Sequence, residues 1–278
     1  MSTDEVAKVA SIEDRVERLR AASDGVSTAQ RTMTELARLR RSLVQELHDE
    51  GWTYAEIAQA AGLSRGRVHQ VRHQGPAPEG ALFGRSPLRI ATPLKREERR
   101  ARPVVAAEDV TAQQRLTELV RTLGFEVDYE QVPLSGDIDL NRDGLVVICG
   151  PRISRDVAAV LDTDPDLRFT KLDTGWALED RTTGQVYKAG PDDDGRPYDV
   201  AYLGRLNRPD GNGMLIVFTG IHPPGSLGVV DLLTNKLAEL HRDARKGPFS
   251  VLVGVEYDQD THEPVKVDTI TPVHRHGN

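Results

Sequence analysis

Six side chains between residues 65 and 73 have the chemistry to hold an anion or to read a hydrogen-bonding edge: Arg65, Arg67, His69, Gln70, Arg72 and His73. A guanidinium can make paired hydrogen bonds to a phosphate or to guanine, and a glutamine amide can do the same to adenine. The chain carries a net charge of -7, so a basic concentration within roughly two turns of helix needs a reason.

The residues before it show how such a face would be positioned. Thr53 stands three residues ahead of Glu56, a capping box that predicts a helix starting at Tyr54. Ile57, Ala58 and Ala61 give that helix a narrow apolar face on which a second helix can lie close. Gly62 suits a sharp turn at positive φ, Leu63 fills the corner, and Ser64 is an N-cap for the next helix. In that second helix Val68 and Val71 face inward, leaving Arg65, Gly66, Arg67, His69, Gln70 and His73 outside. Thr53, Tyr54 and the first helix's unpaired amides suit phosphate contacts. Gly66 costs helix stability, on the order of 1 kcal/mol against alanine, and is read as room for a close backbone approach. The plainer reading is a solvated basic face on a helical hairpin.

The spacing of Ala58, Gly62, Leu63 and Val68 resembles the helix-turn-helix of bacterial DNA-binding proteins. The stretch GWTYAEIAQAAGLSRGRVHQVR, residues 51–72, is similar to the last DNA-reading region of sigma-70-type factors. This resemblance implies that the second helix enters the major groove, with Arg65, Arg67, His69 and Gln70 at base edges and the first helix across the phosphates. It also implies possible contact with RNA polymerase. Residues 1–50 are too short for the promoter-melting domain of such a factor and contain no Trp, Phe or Tyr. The expectation is a regulator with a sigma-like reading head.

Charge divides the chain. Residues 31–105 hold 14 Lys and Arg against 8 Asp and Glu, whereas residues 106–278 hold 18 against 29. A basic block joined to an acidic one suggests two jobs, one of them involving a polyanion. Three parts are expected: a helical module over 1–74 with its helix-turn-helix at 53–73, a basic proline-containing linker over 75–104, and an acidic domain over 105–278. In the first part SIEDRVERLRAA and TELARLRRSLVQELHDEG read as separate amphipathic helices. In the last, the apolar run GLVVICG reads as a strand buried on both faces. Hairpin patterns turn at Thr183-Gly184 and within Pro209–Gly213, and helices alternate with strands. The fold class is therefore α+β multidomain: an all-α N-terminal module and a mixed α/β, Rossmann-like C-terminal domain.

Two places in the acidic domain suggest a ligand. At Gly150-Pro151 a buried strand turns into a helix, with Arg152 and Ser154 at its start, where ligands settle in open α/β sheets. In FTGIHPPGSLGVV another strand meets a helix, and His222 and Ser226 are expected to face Arg152. Two helix N-termini would then converge on an anionic or nucleotide-like effector. The alternative is a plain turn, with His222 bracing its own loop. Neither a dinucleotide fingerprint nor a P-loop is present.

Other candidates are set aside. DIDLNRDG opens like a calcium loop, but its twelfth position is Gly150 where a bidentate glutamate is required. PDDDG, residues 191–195, reads as a charged loop. Cys149, the single cysteine, allows no intramolecular disulfide and reads as a core residue. His274 and His276 at the end of the chain are not assigned a metal. No cofactor, metal or catalytic residue is assigned, and early acids without a long apolar run argue against secretion or a membrane partner.

The expected function is a cytoplasmic, sequence-specific regulator of transcription that binds double-stranded DNA as a homodimer and is not an enzyme. Its distal domain would sense a small anionic or nucleotide-like ligand or mediate oligomerisation. The alternatives are a DNA-targeted enzyme acting on a nucleotide or phosphorylated metabolite, and a protein that recruits a partner.

Overall fold

The computed structural model describes residues 3–73, 78–84, 86–96, 102–191, 195–244 and 247–277. The chain divides into two compact units, Met1–Ala77 and Pro78–Asn278.

The first unit is helical. α1 (Thr3–Ala10) is followed by α2 (Arg15–Asp49), which Asp14 caps by accepting the amides of Val16 and Glu17 at 2.9 and 2.8 Å. The two separate helices expected here are one continuous helix of 35 residues. Gly25 weakens such a helix without ending it. The hydroxyls of Ser23 and Thr32, instead of capping a break, turn back onto the carbonyls of Leu19 and Thr28. α3 (Tyr54–Ala61) and α4 (Arg65–His73) complete the unit. Its core is small: Val44 of α2, Ile57 and Ala58 of α3, and Val68 and Val71 of α4, with Leu47, Tyr54 and Leu63 packed around them.

The second unit opens with a short 3-10 turn, Pro78–Leu82, and then β1 (Leu88–Pro93), β2 (Lys95–Arg96) and β3 (Pro103–Val104). α5 (Ala107–Thr122), β4 (Val127–Val132), β5 (Leu145–Ile148) and α6 (Arg155–Leu161) follow. Next come β6 (Leu167–Leu172), β7 (Gly175–Asp180), β8 (Gln185–Lys188), β9 (Gly190–Pro191), β10 (Pro197–Asn207) and β11 (Met214–Gly220). α7 (Pro223–Ala244), β12 (Phe249–Tyr257), β13 (Pro264–Thr269) and β14 (His274–Arg275) close the chain.

The main sheet runs β13-β12-β10-β11-β5-β1-β4, with β14 beside β12 and β9 beside β10. Pairings among β4, β1, β5 and β11 are parallel, and those from β11 through β10 and β12 to β13 are antiparallel. This is the mixed α/β sheet expected from the alternating pattern. β6, β7 and β8 form a separate antiparallel sheet, of which the β7–β8 hairpin was expected and β6 was not.

The linker expected over 75–104 needs correction. Its residues Leu88–Pro93 are a strand inside the sheet, paired on both sides, with Leu88, Ile90 and Ala91 fully buried. Prolines disguised it. Pro87 stands just before the strand and Pro93 is its last residue, positions where a sheet tolerates a missing amide donor.

Alternation along the strands divides the core into two layers. Leu145, Val147, Cys149, Val200, Tyr202, Leu215 and Val217 pack with Val157, Val160 and Leu161 of α6 and with Leu167 and Leu178 of the small sheet. On the large sheet's other face α5 and α7 pack against each other and against the strands. No helix among the described residues is long and apolar enough to cross a membrane.

Candidate nucleic-acid interface and sheet-end crevice

The helical corner is built as its residues dictate. The Thr53 hydroxyl accepts the Glu56 amide while the Glu56 carboxylate accepts the Thr53 amide at 2.8 Å, a complete capping box. The Thr53 amide, and the Thr53 hydroxyl donating to the same carboxylate at 2.7 Å, hold the Glu56 carboxyl below its ordinary pKa. Gly62 adopts φ 64°, and the Leu63 amide reaches back to the Ala58 carbonyl at 2.9 Å. This left-handed cap turns the chain where a side chain would be strained. The Ser64 hydroxyl then accepts the Arg67 amide at 3.1 Å and starts α4.

Val68 and Val71 fix the rotation of α4, being 0% and 2% exposed. Arg65, Gly66, Arg67 and His69 are consequently on the exposed side. The side chains of Gln70 and His73 lie outside those described. Arg72 and Tyr54, expected among the DNA contacts, are engaged with each other and with α2. The Arg72 guanidinium sits 5.4 Å from the Tyr54 ring, donates to the Tyr54 hydroxyl, and bonds Gln45 of α2 at 3.0 Å. Tyr54 also stacks on His48 with centroids 4.9 Å apart and meets His69 edge-on. These two residues tie α4 and α3 to α2. The sequence pattern missed the reason because Gln45 and His48 belong to the preceding helix.

In the second unit one crevice opens at the ends of β1, β5 and β11, lined among others by Gly150, Arg152, His222 and Ser226. The two sequence-distant loops are therefore brought together as expected. Gly150 leaves room there for Thr219, since a Cβ would lie 2.9 Å from the Thr219 hydroxyl and force that side chain to move. Lys95, Asp109, Phe169 and Trp176 also line the crevice and had not been singled out. Lys95 lay in the supposed linker and the aromatic pair in an ordinary hairpin.

Ser154 is not in the crevice. It is fully buried, accepts the Val157 amide at 3.2 Å as the cap of α6, and donates to the Gly136 carbonyl at 2.5 Å. Nor do two helix starts converge there as open anion sites. The start of α7 carries Pro223 and Pro224, which have no amide hydrogen, and its Gly225 amide is given to Asp199 at 2.8 Å. Asp199 is fully buried and accepts also from Val200 and His222 at 2.9 and 3.0 Å, so the protein's own carboxylate occupies that position. Burial pushes the Asp199 pKa up to about 7 against the pull of these three amides.

Burial and then the Arg152 charge lower the His222 pKa. Burial, with Asp109 nearby, pushes the Cys149 thiol up to about 12, far from a thiolate nucleophile at neutral pH. The Asp109 carboxyl, 3% exposed, is paired with Lys95 at 2.6 Å, and burial still raises its pKa.

Elsewhere, Asp164, Asp166 and His276 bring one potential metal-ligand atom each within 4.8 Å of one another. Asp164 already accepts the amides of Asp166 and Leu167 and the Tyr202 hydroxyl, and so anchors that turn to the main sheet. In the calcium-like segment Asp143 pairs with Arg208 at 2.6 Å, and Asp139 accepts the Asn141 amide. Both serve the turn. Residues 192–194 of the PDDDG loop lie outside the described residues.

Residues 33–75 match the family model of sigma-70, region 4. This identifies the end of α2 with α3 and α4 as a helix-turn-helix DNA-binding region of that type. No curated protein and no solved structure matches the chain.

Proposed function

We propose that the chain is a sequence-specific DNA-binding regulator of transcription. The observation that carries this is the orientation of α4: Val68 and Val71 seal one side, and Arg65, Gly66, Arg67 and His69 remain exposed on the other. In this reading α4 lies in the major groove, Arg65 and Arg67 read guanine, and Thr53 and the start of α3 meet phosphate. Contact with RNA polymerase follows from the same sigma-type head. The second unit serves as a Rossmann-like effector domain: its parallel strands β1, β5 and β11 end on a crevice at the point where the chain order reverses, the usual ligand position in such sheets. In this reading it is a binding domain, and Cys149, its thiol pushed up to about 12 by burial, is a core residue and not a nucleophile. Two copies would present two reading helices. The exposure of Leu19, Leu36 and Leu39, 55–67%, supports self-association through α2.

Selection of duplexes from a randomised pool by the full chain tests this. A defined motif should be enriched, and its binding should weaken steeply between 50 and 200 mM salt, roughly tenfold or more for every few phosphates contacted. Recovery of no motif, or a salt-independent complex, refutes it.

A further inference from the structure

The inference here rests on the reading of the second unit as a ligand-binding domain and concerns which ligand its crevice takes. Several arginines of this unit are paired with carboxylates, among them Arg115 with Glu263, Arg142 with Glu130, Arg168 with Glu179, Arg196 with Glu256 and Arg208 with Asp143. Arg152 is the arginine that lines the crevice. It is exposed and has neither an ion pair nor a hydrogen bond among the described residues. Beside it His222 feels its positive charge. The other cation of the crevice, Lys95, is already neutralised by Asp109 at 2.6 Å.

The supply of anion-binding groups is therefore small. One guanidinium is unpaired, one imidazole adjoins it, and the first turn of α7 is closed to a second anion by two prolines and by Asp199. A polyphosphate would bring several charges that nothing here neutralises. One anionic group is matched. The same crevice is lined by two half-buried aromatic rings, Phe169 of β6 and Trp176 of β7, with centroids 6.4 Å apart and planes at 73°. They leave an apolar, polarisable wall suited to a flat ring.

The loop that carries His222 is held in place. Asp199 holds the loop between β11 and α7 through amides at His222 and Gly225. Side chains added at Gly220 or Gly225 would collide with that loop or with Asp199. The His222 side of the crevice is thus held in place, which spares a ligand the cost of ordering that loop.

We propose that the crevice binds a flat aromatic ring carrying a single anionic group, with Arg152 and His222 holding the anion and Trp176 and Phe169 the ring. A nucleoside monophosphate and an aromatic carboxylate share this chemistry. The chain has two tryptophans, Trp52 in the helical unit and Trp176 in the crevice, so the full chain carrying Trp52→Phe reports on the crevice by fluorescence. It is titrated with AMP and with indole-3-carboxylate, and with adenosine, inorganic phosphate and ATP for comparison.

Saturable quenching by AMP or by indole-3-carboxylate, at least tenfold tighter than by adenosine, phosphate or ATP, is expected, and which of the two wins identifies the source of the anion. Arg152→Ala, on an exposed residue, should lose that advantage without a change in circular dichroism. Calorimetry on Trp176→Leu should show the same loss without relying on the reporter. Saturation by none of the probes, tighter binding of ATP, or an unchanged affinity in Arg152→Ala overturns the proposal. Duplex binding is measured on the same preparations. DNA binding without ligand binding removes this inference alone, whereas ligand binding without DNA binding removes the regulator reading and leaves the crevice assignment in place.

Discussion

The helical corner and the sheet-end crevice place their functional groups in opposite ways. At the corner, residues 53–73 are contiguous: one short segment supplies the exposed groups and four of the five buried side chains that orient them, Val44 of α2 being the fifth. The crevice collects Lys95, Asp109, Arg152, Trp176 and His222 from segments more than 120 residues apart, and needs a sheet to do so. A recognition surface built from one segment can be grafted onto many chains. A pocket built from many segments is particular to its fold, which agrees with the family match ending at residue 75.

This contrast can be broken most severely through the corner's core. Ile57, 1% exposed, sits at its centre. Ile57→Ala should destabilise the helical unit by about 2–5 kcal/mol and abolish duplex binding, while the thermal transition of the sheet unit stays in place. A common shift of both transitions in calorimetry would show that the two regions do not stand apart in this way.

A smaller effect is expected from the buried carboxylate. The Asp199 pKa is raised from 3.8 to about 7 in the folded chain. Its contribution to stability is therefore full below about pH 4, falls as pH rises toward 7, and is constant above. The slope approaches about 1.4 kcal/mol per pH unit. Asp199→Asn cannot ionise, so the stability of wild type relative to the variant should decline from pH 4 to pH 7 in denaturant titrations. Parallel pH profiles would contradict the assigned burial cost.

The finest discrimination comes from the reading face. Arg67→Ala should weaken binding to the selected duplex by about 1–3 kcal/mol, relax base preference at one position, and leave the melting curve unchanged. Equal losses on specific and random duplexes would demote Arg67 from a base contact to a phosphate contact.

The corner was legible because capping box, glycine turn and paired valines are all local signals, each fixed by the backbone within a few residues. The inward contacts of Arg72 carried no local signal, because its partners, Tyr54 and Gln45, lie on two other helices. β1 escaped notice because Pro87 and Pro93 bracket it, and with it went Lys95. The convergence of Arg152 and His222 could be read from the rule for parallel strand ends, whereas Ser154 could not, since its role depends on the Gly136 carbonyl 18 residues away. Trp176 offered no signal beyond a hairpin pattern; only the packing of the small sheet on the large one gives it a use.

The unbroken α2 has a consequence for reach. From Arg15 to Val44, where the packed core begins, a straight helix advances about 44 Å, more than the roughly 34 Å pitch of a DNA duplex. Whatever grasps its first turns stands beyond one full repeat of the double helix from the reading face. A tilt of a few degrees at that far end would swing α4 by ångströms, so the rod can act as a lever as well as a support.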